Sequence, residues 1–594
     1  MDLGTLPRWD LGDLYSGPQA VELASDLDRA EAAAEQFNGD FCGKIGALSA
    51  SDLARAIQRY EADEDLLGRI ASYAQLYHAA NVSDREVGRF YQTTMERLSA
   101  ITSKLIFFTL ELNLIEDGAL QAALAADPGL KHYAPWLRDV RVSRPHQLSD
   151  EQERLLHEKQ VTGRAAWVRL FDETMADMRF SVVGDERDGE ERSLEQTLHL
   201  LQEPDGAQRK AAAKALGVGF GEKKGLFALI TNTLAKDKEI EDRWRHFARP
   251  DSARHLSNLV EDEVVDALTD AVTAAYPRLS HRYYALKAEW FGVEVLDYWD
   301  RNAPLPNEDQ RDFTFQVAQD QVLAAYGAFS PELAKIGQRF FDNAWIDAPA
   351  SPGKSSGAFA HPTVPSAHPY LLLNYQGRVR DVMTLAHELG HGVHQVLAAG
   401  QGTLMADTPL TLAETASVFG EQLTFRALLD GEADPQRRKA MLAGKTEDML
   451  NTVVRQIAFY DFERRLHDER HEGEISVERI GEIWMAVQRE SLGPAIRLHD
   501  EYANYWCYIP HFIHSPFYVY AYAFGDCLVN SLYAVYQNVS DGFAEKYLAM
   551  LRAGGSLRHG ELLAPFGLDA ADPSFWQQGL GVIERFVDEL EELS

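Results

Sequence analysis

The chain has 594 residues, 45% of them hydrophobic and 25% charged. That is the balance of a soluble globular protein long enough for two or more packed regions. A formal charge of −33 at pH 7 argues against a nucleic-acid partner, since an acidic surface repels phosphates. The three scattered cysteines, Cys42, Cys507 and Cys527, exclude a disulfide scaffold and a thiolate zinc site and fit a reducing cytoplasm.

The opening residues, "MDLGTLPRWDLGDLYSG", contain neither the basic nor the apolar part of a secretory signal. Between Ser51 and Ala80, apolar Leu53, Ile57, Tyr60, Leu66 and Leu67 recur at helical spacing, and Asp84 to Ile115 predicts a longer helix of the same kind. Its most apolar part, "KLIFFTLELNLI" from Lys104, is too short and too charged to span a bilayer, so no membrane partner is expected. Ser149 with Gln152, and Ser193 with Gln196, have the spacing of capping boxes that open helices. "MRFSVVG" (Met178 to Gly184) reads as a short strand near a boundary, followed by the acidic turn "GDERDGEE". Helical patterning resumes at Leu194 and runs to about Trp345. The stretch from Asp347 to Pro369 is too rich in Pro, Gly and Ser for helix. "YLLLNY" (Tyr370 to Tyr375) reads as a strand whose edge offers pairing to an extended peptide. The chain is thus expected to be predominantly α, with a small β-sheet.

The helix that follows carries the chemistry. "DVMTLAHELGHGVHQVLAA" has apolar Val382, Leu385, Leu389, Val393, Val396 and Leu397 at helical spacing. His387 and His391, four apart, share a face and can reach one ion, and Glu388 can contact a water on that ion without displacing it. Zinc lowers the pKa of such a water to about 7, and a carboxylate can take its proton as it attacks a carbonyl. His394, seven residues after His387, is too far along the helix to share a tetrahedral ion with both. Leu397 stands where a third histidine of the metzincin pattern would be. "TPLTLAETASVFGEQLTF" offers Glu414 as third ligand and Glu421 to orient an imidazole. Asp381, just ahead of the motif helix, is read as its cap, with support of a ligand histidine as the alternative. His361 and His368, next to prolines, are loop residues near the cleft. Tyr518, Tyr520 and Tyr522 alternate; on a strand they would share a face, on a helix they would spread around it. Their hydroxyls and a histidine N–H are donors that can meet an oxyanion.

"TLAHELGH", "LAETASVFGE" and "YIPHFIHSPFYVYAYAFG" together resemble the thimet oligopeptidase family of zinc metallopeptidases (M3), in its oligoendopeptidase F branch. "WDLGDLYSG" and the block "GAFAHPTVPSAHPYLLLNYQGRVRDVMTLAHELGH" are similar to that branch as well, so the resemblance covers nearly the whole chain. It implies a two-lobed, predominantly helical fold around a deep substrate channel, with a small sheet near the active site. An N-terminal helical region, residues 1–190, would precede the catalytic domain, 191–594. It also implies cleavage of short peptides in the cytoplasm and one Zn2+ per chain held by His387, His391 and Glu414. Glu388 would be the catalytic base, and His511 and Tyr518 would hold the scissile carbonyl, with Tyr520 and Tyr522 as competitors for the last role. Ser356 to Ala360 depart from the Gly-Gly-Ala-Phe-Cys run of relatives. The expected activity is zinc-dependent hydrolysis of internal peptide bonds. An aminopeptidase is disfavoured, because Leu410 stands where its glutamate would be. A carboxypeptidase, or a peptide-binding protein with an idle metal site, remains as an alternative.

Overall fold

The computed structural model describes residues 3–183, 190–305, 311–539 and 541–593. It is predominantly α-helical, with three small sheets among the described residues. Most of the acidic turn expected after Met178–Gly184 lies outside the described residues. The chain forms two compact units, each assembled from separated stretches. Unit 1 comprises Met1–Arg144, Gln310–Gly431 and Val535–Leu568; unit 2 comprises Pro145–Asp309, Glu432–Ala534 and Asp569–Ser594.

In unit 1 the expected first helix is Ala50–Ala80, opened by Ser49, whose side chain accepts from the Asp52 N–H. Leu53, Ile57, Leu67, Ile70 and Ala74 form its buried stripe. The segment expected as one helix from Asp84 to Ile115 is two, Arg85–Thr102 and Ile106–Leu114. The break releases the Lys104 carbonyl from the helical ladder, and the Asn38 side chain donates to it at 2.9 Å.

The Pro/Gly/Ser-rich stretch of unit 1 contains two strands, Ile346–Pro349 and Phe359–His361, that the sequence pattern did not reveal. They flank Tyr370–Tyr375, parallel on one side and antiparallel on the other. "YLLLNY" is therefore the central strand, and its main chain is engaged on both sides. Ile346–Pro349 and Phe359–His361 are the two outer strands of this sheet. Buried Lys354 ties the loop between the outer strands to the sheet, donating to the Asp347 carboxylate and the Leu373 carbonyl, each at 2.6 Å. The motif helix, Val379–Ala398, packs against this sheet and against the helix Thr415–Asp430.

In unit 2 both expected capping boxes are formed, at Ser149/Gln152 and Ser193/Gln196. The strand predicted over 178–184 is only Phe180–Ser181, paired antiparallel with Glu191–Arg192. The 39-residue helix Gly206–Trp244 runs through this unit. The expected boundary at 190/191 falls inside one stretch of unit 2. Among the described residues no single helix is long and apolar enough to cross a membrane.

Candidate metal centre

Asp381 lies not ahead of the motif helix but at its third residue, from which its carboxylate reaches back to accept from the N–H groups of Gln376 (3.0 Å) and Arg378 (2.9 Å), Arg378 being the N-cap. Val382, Leu385, Leu389 and Val393 are fully buried, which fixes the rotation of the helix and keeps His387 and His391 one turn apart on a shared face. Their ring centroids are 4.9 Å apart.

The third group comes from a neighbouring helix that approaches unusually closely. A Cβ on Gly390 would lie 2.5 Å from the Ala416 carbonyl oxygen and 2.6 Å from the Ser417 Cα. Only glycine leaves room for that backbone. Two tyrosines fix the approach: Tyr326 donates to the Ala386 carbonyl at 2.6 Å, and Tyr547 to the Thr415 carbonyl at 2.7 Å. Glu414 sits at the joint between the short helix Leu410–Ala413 and Thr415–Asp430. Its Oε2 is 3.3 Å from His387 Nε2 and 3.4 Å from His391 Nε2, and Ser417 Oγ donates to it at 2.6 Å. One ligand atom from each of His387, His391 and Glu414 lies within 4.8 Å of the others. A tetrahedral ion with bonds of about 2.1 Å needs ligand atoms roughly 3.4 Å apart, so this donor set fits a divalent metal. Glu421 Oε2 lies 3.2 Å from His387 Nδ1. A proton held on Nδ1 by that contact directs Nε2 toward Glu414 and the shared ligand position.

The titratable groups of the site are strongly shifted, in different directions. Burial opposes a proton on His387, yet the hydrogen bonds to Glu414 and Glu421 outweigh it and lift the pKa to about 10. Burial alone would raise Glu414, but the His387 hydrogen bond and the two imidazoles hold it at about 2. His391 is pushed down to about 4 by burial, against the pull of Glu414. The pocket thus favours a positive imidazole at His387 and a negative carboxylate at Glu414, and disfavours a positive imidazole at His391. Glu388 is 8% exposed. Burial, reinforced by Glu414, raises its carboxyl to about 7, while His387 and the Ala360 backbone pull it down. A carboxyl with that value can both take and return a proton near neutral pH.

The other candidates are placed elsewhere. His394 is 6% exposed and stays outside the converging set; burial holds its imidazole at about 4. His361 pairs with Gln75 (3.3 Å) and the Thr363 N–H (3.0 Å), and His368 with Asp13 (2.9 Å). A cavity of about 500 Å³ opens beside His391, lined among others by Pro362, Val364, His394 and Asp407.

In unit 2, His511 begins the short helix His511–His514, and Tyr518 follows it. Their rings stack at 6.0 Å, and the Tyr522 hydroxyl is 3.4 Å from His511 Nε2. Tyr520 opens the helix Tyr520–Asn538. It is fully buried, and its hydroxyl accepts from Asn258 at 2.8 Å. Tyr518 is half-buried, and Tyr522 is 37% exposed. Sequence reasoning missed Ser417, Gly390, Tyr326 and Tyr547. The two glycines in "HELGHG" were the one visible signal of a close approach.

A model of peptidase family M3 matches residues 199–582, and a model of oligopeptidase F matches residues 111–180. The chain belongs to peptidase family M3. The M3 chain is 27% identical over 604 residues to oligopeptidase PepF of Bacillus subtilis, covering 98% of this chain and 87% of that one. It is 28% identical over 598 residues to an oligoendopeptidase F homolog of Lactococcus lactis subsp. lactis, covering 98% and 97%. Oligoendopeptidase F from Enterococcus faecium superposes with a TM-score of 0.70 at 24% identity, over 96% of this chain and 97% of that one. A chain from Chlamydophila abortus, solved as a candidate peptidase, reaches 0.87 at 22%, over 99% and 98%. These neighbours share the fold. As an M3 peptidase of the oligopeptidase F branch the chain is an enzyme, and His387, His391 and Glu414 are its candidate metal group.

Proposed function

We propose that this M3 peptidase is a zinc endopeptidase that hydrolyses internal bonds of short peptides. The observation that carries the reading is the convergence of His387, His391 and Glu414 beside the buried carboxyl of Glu388. Bound by those three side chains, one zinc ion per chain would supply Lewis acidity at the scissile carbonyl and at the attacking water. Glu388 accepts a proton from that water as it attacks and passes it to the leaving amine, so the peptide is cleaved without a covalent intermediate. Glu421 keeps His387 in the tautomer that presents Nε2. His511 and Tyr518 donate hydrogen bonds to the carbonyl oxygen as it gains charge. The outer strand Phe359–His361 is where the extended substrate main chain pairs. Short peptides as substrates are supported by the names of the relatives from Bacillus subtilis and Lactococcus lactis. Action in the cytoplasm is supported by the three unpaired cysteines. A division into an N-terminal helical region, 1–190, and a catalytic region, 191–594, belongs to the same proposal.

The test is metal content of the purified protein together with cleavage of an internally quenched peptide blocked at both ends. One zinc per chain with internal cleavage supports the reading. Cleavage of unblocked peptides alone would replace it with an exopeptidase, and binding without turnover with a peptide-binding protein.

A further inference from the structure

One peptide unit in unit 2 is gripped from both ends. The Pro516 carbonyl accepts from Arg254 Nε at 3.2 Å, and the Phe517 N–H donates to Glu463 Oε1 at 2.8 Å. These two groups belong to the same peptide plane, so Arg254 and Glu463 together fix its orientation. The backbone needs fixing: Phe517 has φ +58°, in the left-handed region that a bulky side chain rarely adopts without outside support. Phe517 is fully buried, with the His467 ring 4.7 Å from its own. The next residue is Tyr518, and the Arg254 guanidinium lies 5.8 Å from its ring centre.

Glu463 is a costly residue to keep for packing alone. It is 2% exposed and lines a small apolar cavity with Phe171, Phe227, Phe462 and Phe512. Its Oε2 has no hydrogen-bond partner among the described residues. A buried carboxyl with half its acceptors unused costs stability, and burial raises its pKa to about 8. The bond it does make is to the main chain of the segment between His511 and Tyr522. On the other flank, Arg164 donates to the carbonyls of Ile513 (2.7 Å) and His514 (2.9 Å), so the whole turn between His511 and Tyr518 is held by side chains from outside it.

We propose that Glu463 and Arg254 are positioning residues that clamp the Pro516–Phe517 peptide plane and thereby aim the Tyr518 hydroxyl at the substrate carbonyl. The inference rests on the role given to Tyr518 under the proposed function. The strain at Phe517 is held by the clamp, and the next side chain takes its direction from it. Such aiming matters because a shift of about 1 Å in a reacting group can cost on the order of a hundredfold in rate.

The test uses the full chain loaded with zinc and a blocked internally quenched peptide. Glu463→Met, of similar volume and with no acceptor, is expected to lower kcat about ten- to a hundredfold with KM and zinc content unchanged. Glu463→Gln keeps an oxygen for the Phe517 N–H and is expected to restore most of the rate. In a double-mutant cycle, Glu463→Met should cost little further rate once Tyr518→Phe is present. If Glu463→Met does not fold, Arg254→Met removes the other half of the clamp and is expected to show the same loss and the same non-additivity. A normal kcat in the folded variant, or a loss that persists undiminished in the Tyr518→Phe background, would overturn the clamp. If Tyr518→Phe itself leaves kcat unchanged, the role of Tyr518 falls first and the clamp with it.

Discussion

Oε2 of Glu421 lies 3.2 Å from Nδ1 of His387, while the other ring nitrogen of the same histidine faces Glu414 at 3.3 Å. Two carboxylates seven residues apart thus address opposite sides of one imidazole. Under the proposed function Glu414 shares the ion with His387, and Glu421 sets which nitrogen binds it. Glu421→Gln is expected to weaken zinc binding about ten- to a hundredfold while leaving the metal stoichiometry at one. Competition against a chromogenic chelator reads this directly. Unchanged affinity would mean that the imidazole is oriented by packing alone.

Gly390 carries the second prediction. A methyl group there meets the Ala416 carbonyl and Ser417 Cα, and the two helices must separate to admit it. Gly390→Ala is expected to cost about 1–3 kcal/mol of stability and to lower zinc affinity, because Glu414 moves with the displaced backbone. Calorimetry with and without zinc checks both effects. An equal shift in melting temperature in the two conditions would show that the approach serves packing only.

Buried Glu463 makes a prediction about pH. Burial raises its folded-state pKa from 4.5 to about 8. Between those values the folded chain retains a proton that the unfolded chain has lost, so this group makes stability fall as pH rises from 4.5 to 8. Below 4.5 both states are protonated, and above 8 both are ionised, so the effect is flat outside the window. Relative to Glu463→Gln, the wild type should lose up to about 1.4 kcal/mol per pH unit inside it. Denaturant titrations of both proteins at several pH values test this, and parallel curves would contradict it.

Tyr520 and Tyr518 should separate cleanly. Tyr520→Phe removes the acceptor for the buried Asn258 amide and is expected to cost about 1–2 kcal/mol of stability, with kcat unchanged. Tyr518→Phe should do the reverse, lowering kcat with little change in melting temperature. A loss of kcat on Tyr520→Phe with normal stability would reopen the assignment.

Much of this was legible in the residues because it is local. The i, i+4 histidines, the Asp381 cap and the two Ser/Gln capping boxes need only neighbouring residues to form, and each stands in the structure. What failed depends on partners far away in sequence. "YLLLNY" looked like an available strand, but Phe359–His361, inside a proline- and glycine-rich stretch with no period-2 pattern, occupies one side and Ile346–Pro349 the other. The alternating tyrosines left strand and helix open; the helix beginning at Tyr520 buries that residue and leaves Tyr522 out. The break near Lys104 has no glycine or proline to announce it, and the carbonyl it frees is satisfied by Asn38, 66 residues earlier.

The measurement closest to the centre of the account is the metal content and turnover of Glu414→Ala set against Glu388→Gln and the wild type. One zinc per chain is expected in the wild type and in Glu388→Gln, with turnover nearly abolished in the latter, and loss of both zinc and turnover is expected in Glu414→Ala. Full zinc and full rate in Glu414→Ala would show that His387 and His391 hold their ion with some other partner.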